Sequence, residues 1–205
     1  MDLKDTYNKI AEDWVKDHNI DTWWVEGTDI FLSKLSAGAL VLDVGCGGGV
    51  KTKYISNKGF KVLGIDFSEK MIEIAKRENP DQTFKVLDVY NIDKFEKTFD
   101  GIFAQAVLLH IPKSRVIEVL TKIKSRLNDG GYLYVALKAL NEDKEEEKVV
   151  KENDYGYEYE RFFSYYTLGE LRKYFKDVGL EILWEKVSNS EFNGWIQVIG
   201  KKINL

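Results

Sequence analysis

The fold is decided by the stretch Leu42-Asp43-Val44-Gly45-Cys46-Gly47-Gly48-Gly49, where a short apolar run ends in an acid and a cluster of glycines. The apolar run begins at Ala39, and a helical pattern begins at Val50. Glycine lets the backbone turn tightly and approach a ligand without a Cβ in the way. Amides at the start of the following helix can meet an anionic or polar group. The stretch therefore predicts a strand, a glycine-rich turn and a helix, in that order.

Other apolar runs repeat this plan along the chain. Five strand-like runs, each too short for a stable helix, are Ala39–Val44, Lys61–Ile65, Phe84–Leu87, Phe99–Ala104 and Tyr132–Leu137. Helical patterns separate them, and this alternation predicts an α/β fold with a parallel sheet covered by helices. Two final strands, Glu181–Val187 and Trp195–Lys201, leave no room for a helix between them and predict an antiparallel hairpin at the sheet edge.

The segments outside this alternation predict a cap and an insertion. Residues 1–36 predict an N-terminal helical cap, because apolar residues from Tyr7 to His18 fall on one helix face. A second helix is predicted from Thr28 to Leu35, with Thr28 as its N-cap. Residues 141–163 form an insertion that is either a solvated loop or a substrate lid. The whole chain, 1–205, is predicted to be a single domain.

Composition narrows the function classes. The 205 residues carry 30 Lys and Arg against 34 Asp and Glu, a formal net charge of −4. A mildly acidic chain has no overall field that draws it to nucleic acid or to an anionic membrane, so nucleic-acid binding is disfavoured. With Cys46 as the one cysteine and only two histidines, neither an intramolecular disulfide nor a metal site is expected. No apolar run approaches the ~18 residues of a membrane span, and no signal peptide is seen, so a cytoplasmic monomer or homodimer is expected.

Three acids, Asp43, Asp66 and Asp88, stand at the ends of three consecutive predicted strands. The carboxyl ends of parallel strands meet at the edge where open α/β sheets bind ligands. Asp66 comes 21 residues after Gly45, where a carboxylate can accept hydrogen bonds from a ribose diol. The dinucleotide fingerprint Gly-x-Gly-x-x-Gly would need its third glycine at Val50, which argues against a nicotinamide oxidoreductase. The acids and the glycine turn together predict a nucleoside site.

Five motifs occur in order and register: Asp43-Val44-Gly45-Cys46-Gly47-Gly48-Gly49, Gly64-Ile65-Asp66-Phe67-Ser68, Leu87-Asp88-Val89, Phe99-Asp100-Gly101-Ile102 and Leu127-Asn128-Asp129-Gly130-Gly131. With them, the chain from roughly Ala39 to Leu137 resembles the class I S-adenosylmethionine-dependent methyltransferases. The resemblance implies a Rossmann-like three-layer sandwich with helices on both faces of a seven-stranded, mostly parallel sheet. It implies the strand order 3-2-1-4-5-7-6 with strand 7 antiparallel. It also implies S-adenosylmethionine as cofactor and S-adenosylhomocysteine as product.

The same resemblance implies the cofactor contacts. Gly45, Gly47 and Gly49 would pass close to the methionine part of the cofactor, and Asp43 would accept from its ammonium group. Asp66 would bind the ribose hydroxyls. The other implied contacts are Cys46 in the turn, Phe67 and Met71 beside the adenine, Asp88 and Val89 at its edge, Gln105 near the reacting methyl, and Trp14 and Tyr7 on the helical cap. The alternative for Tyr7 is that it is only the core edge of an amphipathic helix.

His110 and Tyr7 are the candidate catalytic residues. His110 follows the fourth strand, and an unperturbed histidine, with a pKa near ~6.5, suits a general base. The alternative is that its imidazole hydrogen-bonds the backbone of a loop. Predicted substrate contacts are Trp23, Trp24, His110, Tyr157, Arg161 and Tyr165, which would form an aromatic pocket with one cation. Alternatively the rings fill the core and Arg161 pairs with a nearby acid.

These features predict an enzyme that moves a sulfonium methyl by in-line displacement to an O, N or S nucleophile of a small molecule. A general base is needed only if that nucleophile is protonated at the working pH. Two alternatives stay open. The segment Arg161-Phe162-Phe163-Ser164-Tyr165-Tyr166 and the tail Asn193-Gly194-Trp195 are similar to those of tRNA wobble-uridine methyltransferases. The cofactor motifs are also compatible with a non-catalytic S-adenosylmethionine-binding protein.

Overall fold

The computed structural model describes residues 2–18, 21–141, 145–188 and 194–203, so Asn193 of the tail and 142–144 of the insertion lie outside the described residues. The strands are β1 (Leu40–Val44), β2 (Lys61–Asp66), β3 (Thr83–Val86), β4 (Phe99–Gln105), β5 (Leu127–Lys138), β6 (Glu147–Glu152), β7 (Tyr159–Ser164), β8 (Leu180–Ser188) and β9 (Trp195–Lys202). The helices are α1 (Leu3–His18), α2 (Val25–Leu32), α3 (Val50–Asn57), α4 (Glu69–Glu78), α5 (Lys113–Ser125) and α6 (Leu168–Asp177). Short 3₁₀ helices cover Val89–Lys94 and Leu108–His110.

Seven of these strands form one sheet in the order β3-β2-β1-β4-β5-β9-β8. The first five strands are parallel to one another, whereas β9 is antiparallel to both β5 and β8. The inserted strands β6 and β7 belong to a separate sheet, so β8 and β9 are the sixth and seventh strands of the main sheet. The predicted order 3-2-1-4-5-7-6, with an antiparallel last strand, is therefore confirmed.

Apolar side chains pack on both faces of the sheet, which makes three layers. One core cluster joins the strands to α5 and α6, and Val116 and Phe175 are fully buried in it. A second cluster joins the strands to α2 and α3 through Phe31 and Ile55. In that second cluster the ring of Tyr134 stacks on a neighbouring aromatic ring of β4 with centroids 4.5 Å apart. Helices thus cover both faces, as parallel sheets require.

Local hydrogen bonds place the helix ends. Ser68 begins α4, because its Oγ accepts from the amide of Met71 at 3.1 Å, as expected for an N-cap. The predicted start of α2 at Thr28 is wrong, since the helix covers Val25–Leu32. Thr28 lies inside it, and its Oγ1 donates to the carbonyl of Trp24 at 2.8 Å. A threonine hydroxyl can bond the carbonyl four residues back within a helix, so a residue type that suits a cap is used internally here.

The insertion is an antiparallel hairpin, in contrast to the solvated-loop interpretation. Its strands β6 and β7 pair from Glu147 opposite Ser164 to Glu152 opposite Tyr159. Helix α1 packs along β7, where the hydroxyl of Thr6 donates to a β7 carbonyl at 3.0 Å. The hairpin and α1 therefore come together beside the carboxyl ends of the sheet strands. Among the described residues, no helix combines the length and apolarity needed to cross a bilayer.

Candidate active site

A cavity of about 430 Å³ lies at the carboxyl ends of β1, β2, β4 and β5. Its acidic end contains Asp43, Asp66 and Asp88. Its aromatic end contains Tyr7, His110, Phe163, Trp195 and Trp23. All of the predicted cofactor residues except Gly49 line this cavity. Groups bound at the acidic end and the aromatic end would therefore share one space.

The glycine turn after β1 approaches the cavity so closely that side chains are excluded. Gly45 has a φ of +68°, and a Cβ built on it would lie 2.3 Å from Cγ2 of Val107. Gly47 has a φ of +51°, and its Cβ would lie 3.2 Å from the ring of Trp14. Left-handed backbone of this kind strongly favours glycine. The turn thus forms a cradle that only a chain without side chains can make.

Gly49 has a different role from the one predicted. It precedes α3 with a φ of +86°, and a Cβ there would meet Nδ2 of Asn79 at 2.8 Å and the ring of Phe84 at 2.9 Å. Its neighbours thus lie just after α4 and within β3, and Gly49 is not among the residues that line the cavity. The missing side chain of Gly49 allows close packing behind the turn, and its contact with a cofactor stays a prediction.

Asp43 is held at the end of β1 by a bond from α3. Its side chain is 2% exposed, and its Oδ2 accepts from the hydroxyl of Thr52 at 2.6 Å. Burial raises the pKa of Asp43 to about 7, against the opposing effects of the Thr52 bond and the charge of Lys51. A cationic ligand group beside this carboxyl would favour its ionised form. The site therefore suits an ammonium group.

Asp66 ties the end of β2 to the glycine turn. Its Oδ2 accepts from the amide of Gly47 at 3.0 Å, and its Oδ1 accepts from the amide of Ser68 at 2.9 Å. Burial raises the pKa of Asp66 to about 6, and these amide bonds oppose the rise. The Phe67 amide also acts on this carboxylate. An ionised carboxylate offers about four acceptor positions, so it can still accept from a ligand hydroxyl group while it orders the turn.

A slot lies next to Asp66, between α4 and the 3₁₀ helix that follows β3. Met71 is buried on α4, and the ring of Phe67 meets the ring of Tyr7 edge-on with centroids 5.8 Å apart. Asp88 caps the 3₁₀ helix by accepting a backbone amide hydrogen, and Val89 follows it. Apolar walls with a carboxylate and an amide at the edge fit a flat, hydrogen-bonding ring.

Gln105, the last residue of β4, carries an unsatisfied oxygen. The side chain is 8% exposed, and its buried Oε1 has no hydrogen-bond partner within the described part of the chain. Such an orphaned acceptor costs about 1–3 kcal/mol, which a ligand donor would remove. The next residue, Ala106, has a φ of +57°, a strained conformation for a residue with a Cβ. Strain and an orphaned oxygen at one strand end indicate a site that is completed by a ligand.

A hydrogen-bonded chain crosses the aromatic end from α1 to the hairpin. Tyr7 Oη lies 2.7 Å from His110 Nε2, and His110 Nδ1 lies 2.7 Å from the carbonyl oxygen of Phe162. Because that carbonyl can only accept, Nδ1 carries a proton, and Nε2 of the neutral ring accepts from the Tyr7 hydroxyl. Arg161 donates to Tyr7 Oη at 3.4 Å and pairs with Glu152 through two bonds of 2.6 Å.

This chain changes the role that sequence predicts for His110. Burial, together with the positive charges of Arg161 and Lys138, lowers the pKa of His110 to about 3, and the bond to the Phe162 carbonyl opposes this change. The lone pair of Nε2 is already engaged by Tyr7. The imidazole also bonds a backbone carbonyl, as the alternative to the general-base interpretation proposes, although this carbonyl belongs to strand β7 and not to a loop. In this arrangement two hydrogen bonds hold His110 in the wall of the cavity, and its catalytic role stays a prediction.

The predicted substrate residues divide into two groups. Trp23, His110 and Arg161 line the cavity, whereas Trp24, Tyr157 and Tyr165 do not. Trp24 turns into the protein, where its Nε1 donates to a carbonyl at 2.6 Å. The hydroxyl of Tyr157 donates to Asp13 on the exposed side of α1, at 2.7 Å. Tyr165 is buried at 4% exposure, against Phe163. For these three rings the alternative, that they serve packing, agrees with the structure.

Several lining residues escaped sequence analysis. Lys138 ends β5, and its Nζ lies 4.1 Å from the ring centroid of Phe163. Trp195 begins β9 opposite Lys138 and stacks on Trp23 with centroids 4.1 Å apart. The position of Lys138 at the carboxyl end of a predicted strand was a usable signal. For Trp195 the sequence offered no signal that it lines the cavity, because its position opposite Lys138 depends on the register of two strands far apart in sequence.

Comparisons with known proteins agree on the family. A family model described as a methyltransferase domain matches residues 17–185. The tRNA (carboxymethyluridine(34)-5-O)-methyltransferase of Saccharomyces cerevisiae is 33% identical over 114 residues, covering 55% of this chain and 40% of that protein. The ubiquinone biosynthesis O-methyltransferase of Rhizobium rhizogenes is 28% identical over 134 residues, covering 63% of this chain and 52% of that protein. The chain thus matches about half the length of these curated relatives, or less.

The fold has close counterparts among solved structures. One is the 1,6-didemethyltoxoflavin-N1-methyltransferase of Burkholderia thailandensis, crystallised with 1,6-didemethyltoxoflavin and S-adenosylhomocysteine. It superposes with a TM-score of 0.78 at 17% identity and covers 98% of this chain and 88% of that one, which shows a shared fold. The family match over residues 17–185 agrees with the glycine turn and the row of acids, and the chain belongs to the methyltransferase-domain family of class I S-adenosylmethionine-dependent methyltransferases.

Proposed function

We propose that this chain is an active S-adenosylmethionine-dependent methyltransferase whose acceptor is a small molecule. The observation that carries the proposal is the shared cavity, which joins the acidic end, the orphaned oxygen of Gln105 and the aromatic end. The volume, about 430 Å³, lies in the range typical of small-molecule sites. The ubiquinone-biosynthesis relative and the toxoflavin structural neighbour, by their names, act on small molecules, which supports the same class here.

The residues present fit the cofactor group by group. Asp43 would hold the ammonium group, with Gly45 and Gly47 close to the methionine chain. Asp66 would accept from both ribose hydroxyls, and Gln105 Oε1 would accept a hydrogen from the methionyl end. The remaining cofactor contacts in the proposal are Phe67 and Met71 beside the adenine, Asp88 and Val89 at its edge, and Cys46, Trp14 and Tyr7 closing the site. Gly49 would support the turn from behind.

The cofactor supplies a methyl group that is already activated by a positive sulfur, so the protein's main task is positioning. The acceptor has to be held at about 3–3.5 Å from the methyl, in line with the breaking bond. Tyr7 and His110 are fixed by each other and by Arg161, so they form a rigid wall for this purpose. Trp23 and Arg161 complete that wall as proposed substrate contacts.

The yeast relative favours tRNA as a second candidate acceptor, because its name specifies a tRNA nucleoside. A tRNA-binding enzyme needs a basic surface for the phosphate backbone. This chain has a formal net charge of −4, which favours the small-molecule acceptor. A salt-sensitive interaction with bulk tRNA in a filter-binding assay would reverse this preference.

Calorimetric titration with S-adenosylmethionine and S-adenosylhomocysteine tests the proposal. We expect micromolar binding of both to the wild-type protein. Asp66→Asn should weaken both ten- to a hundredfold, because a charged acceptor of two hydrogen bonds contributes roughly 1.5–3 kcal/mol. The matched control Asp81→Asn alters an exposed acid outside the cavity and should leave the affinity unchanged. A folded wild-type protein that binds neither compound would contradict the proposal, and binding without turnover of any acceptor would favour the non-catalytic alternative.

A further inference from the structure

Gln105 lies at the boundary between the two ends of the cavity. The order of the sheet places β4 between β1, which carries Asp43 at the acidic end, and β5 and β9, where Trp195 lines the aromatic end. Gln105 is the last residue of β4, opposite Ala136 of β5, and it lines the cavity. A ligand that reaches Gln105 from the aromatic end therefore lies next to the proposed cofactor site.

The backbone that follows Gln105 is held in a strained conformation. Ala106 has a φ of +57°, and its amide donates to the carbonyl of Ala136 at 2.9 Å. Strained residues persist only where their surroundings hold them, and they cluster at functional sites. Within the part of the chain that the structure describes, Gln105 Oε1 is the one buried side-chain nitrogen or oxygen without a hydrogen-bond partner. The end of β4 thus offers the cavity an acceptor oxygen that the described protein groups leave unused.

The oxygen of Gln105 can serve both ligands of the cavity. An amide oxygen has two lone pairs and can accept two hydrogen bonds. In the proposed function the methionyl end of the cofactor donates to one of them, so the second is open to a donor from the aromatic end. On that side His110 Nε2 already accepts from the hydroxyl of Tyr7. A methyl acceptor that carries a hydrogen on its reacting atom would therefore donate that hydrogen to Gln105 Oε1.

The chemistry of an amide oxygen limits which nucleophiles fit this bond. An amide is a very weak base, so its oxygen accepts a hydrogen bond without removing the proton. The nucleophile must therefore carry a lone pair and its hydrogen at the same time. A phenol, with a pKa of about 10, attacks well only after it loses its proton, and an alkyl amine is protonated at neutral pH and has no lone pair. An amino group on an aromatic ring stays neutral, because the ring delocalises its lone pair, and it keeps both.

We propose that Gln105 binds the methyl acceptor, a flat aromatic amine whose N–H donates to Gln105 Oε1 and whose nitrogen is methylated. This inference rests on the proposed function. The nitrogen lone pair forms a bond to the methyl carbon while the carbon–sulfur bond breaks, and the electron pair of that bond stays on sulfur. The nitrogen becomes positively charged and then loses a proton to water, so the products are a neutral N-methylamine and a neutral thioether. The Trp23, Trp195 and Phe163 rings, which line the aromatic end, would contact the flat ring of the amine.

Two probes of matched size test the hydrogen bond. 4-Methylaniline carries an amino group where 1,4-dimethylbenzene carries a methyl group, and each is titrated calorimetrically into protein saturated with S-adenosylhomocysteine. The variant Gln105→Met removes the amide but keeps the length of the side chain. We expect it to lower the affinity for 4-methylaniline at least about fivefold relative to the affinity for 1,4-dimethylbenzene, because only the amine loses a hydrogen bond. An equal change for both probes, or no binding of either probe to the wild-type protein, would overturn the inference.

Gln197→Met is the matched control. Gln197 is also a buried glutamine of the sheet, but its Oε1 accepts from the hydroxyl of Tyr134 at 2.8 Å and it does not line the cavity. The affinities of this variant for both probes should stay within about twofold of wild type. Saturation with S-adenosylhomocysteine is verified for each protein first, at a higher concentration for Gln105→Met, so that failure of the proposed function is seen separately. An amine affinity that falls equally in both variants would contradict the assignment.

The position of methylation is tested with 4-aminophenol, which offers an aromatic amine and a phenol on one ring. With methyl-labelled S-adenosylmethionine, we expect the label in 4-(methylamino)phenol, which chromatography separates from the methyl ether 4-methoxyaniline. Label in the ether would overturn the inference. Absence of label from both products, with binding of 4-aminophenol established by calorimetry, would overturn it too.

Discussion

Replacing Gly45 by alanine tests how closely the glycine turn approaches the cavity. Two costs arise at this position. The φ of +68° is unfavourable for any L side chain, which costs about 1–2 kcal/mol. The added Cβ would also lie 2.3 Å from Cγ2 of Val107, an overpacked contact that costs about 1–3 kcal/mol. We therefore expect Gly45→Ala to lower the free energy of unfolding by about 2–5 kcal/mol.

Gly38 provides the matched control, because it separates backbone strain from the collision. Its φ of +73° is similar, but a Cβ on Gly38 would meet nothing within 4 Å. Gly38→Ala should therefore lower the free energy of unfolding only by the backbone strain, about 1–2 kcal/mol. For a protein of this size, the difference of about 1–3 kcal/mol corresponds to melting temperatures roughly 2–12 °C apart. The double variant Gly45→Ala/Val107→Ala should recover part of the difference, since it removes the colliding methyl groups.

Thermal unfolding followed by circular dichroism measures the stabilities, and calorimetry with S-adenosylhomocysteine measures the site. We expect the affinity to fall at least about tenfold in Gly45→Ala and to stay within about twofold of wild type in Gly38→Ala. If the two alanine variants melt at the same temperature and bind equally well, the close approach of the turn to Val107 and to the ligand is refuted.

Two further predictions concern buried groups. Burial raises the pKa of Asp43 from 3.8 to about 7 in the folded chain. The folded state therefore favours the protonated carboxyl, so this group's contribution to the free energy of unfolding is complete below about pH 4 and is lost as the pH rises through 7. Asp43→Asn should therefore gain more free energy of unfolding relative to wild type at pH 8 than at pH 5 in urea titrations; an equal change at both pH values would contradict the shift. Tyr7→Phe should lower the free energy of unfolding by about 1–3 kcal/mol, because it leaves His110 Nε2 buried without a donor. Tyr157→Phe loses only an exposed bond and should change it by less than about 0.5 kcal/mol; equal effects of the two variants would argue against the buried bond.

Local patterns predicted most of the secondary structure, because the forces that set it act between residues close in sequence. Ser68 caps α4 through the third residue after it, and Thr167 forms a capping box with Glu170 at the start of α6. Alternation of short apolar runs with helical patterns indicated a parallel sheet covered by helices. The family motifs supplied the strand order, which no local pattern contains. Local patterns did not locate the start of α2, because a threonine such as Thr28 can either cap a helix or bond a carbonyl inside it.

The acidic end of the cavity was predictable residue by residue for a topological reason. Each of Asp43, Asp66 and Asp88 stands at or just beyond the carboxyl end of a strand, and parallel strands bring those ends to one edge. Glycine at Gly45 and Gly47 is a sequence signal for close backbone approach, and both line the cavity. Gly49 is part of the same glycine pattern, but the side chains nearest to it are Asn79 and Phe84, behind the turn. A glycine in the sequence indicates a close contact at that position, but only the tertiary structure shows which group makes the contact.

By itself, the sequence determined the α/β class, the family and the acidic end, because these depend on residue types at fixed positions along single elements. The aromatic end was decided by tertiary structure alone. Tyr7 meets His110 across 103 positions of sequence, and Arg161 meets Tyr7 across 154. Those contacts remove the free lone pair from His110 and place a cation in the cavity wall. Whether a histidine is a base depends on its partners and its burial, and both exist only once distant segments pack together.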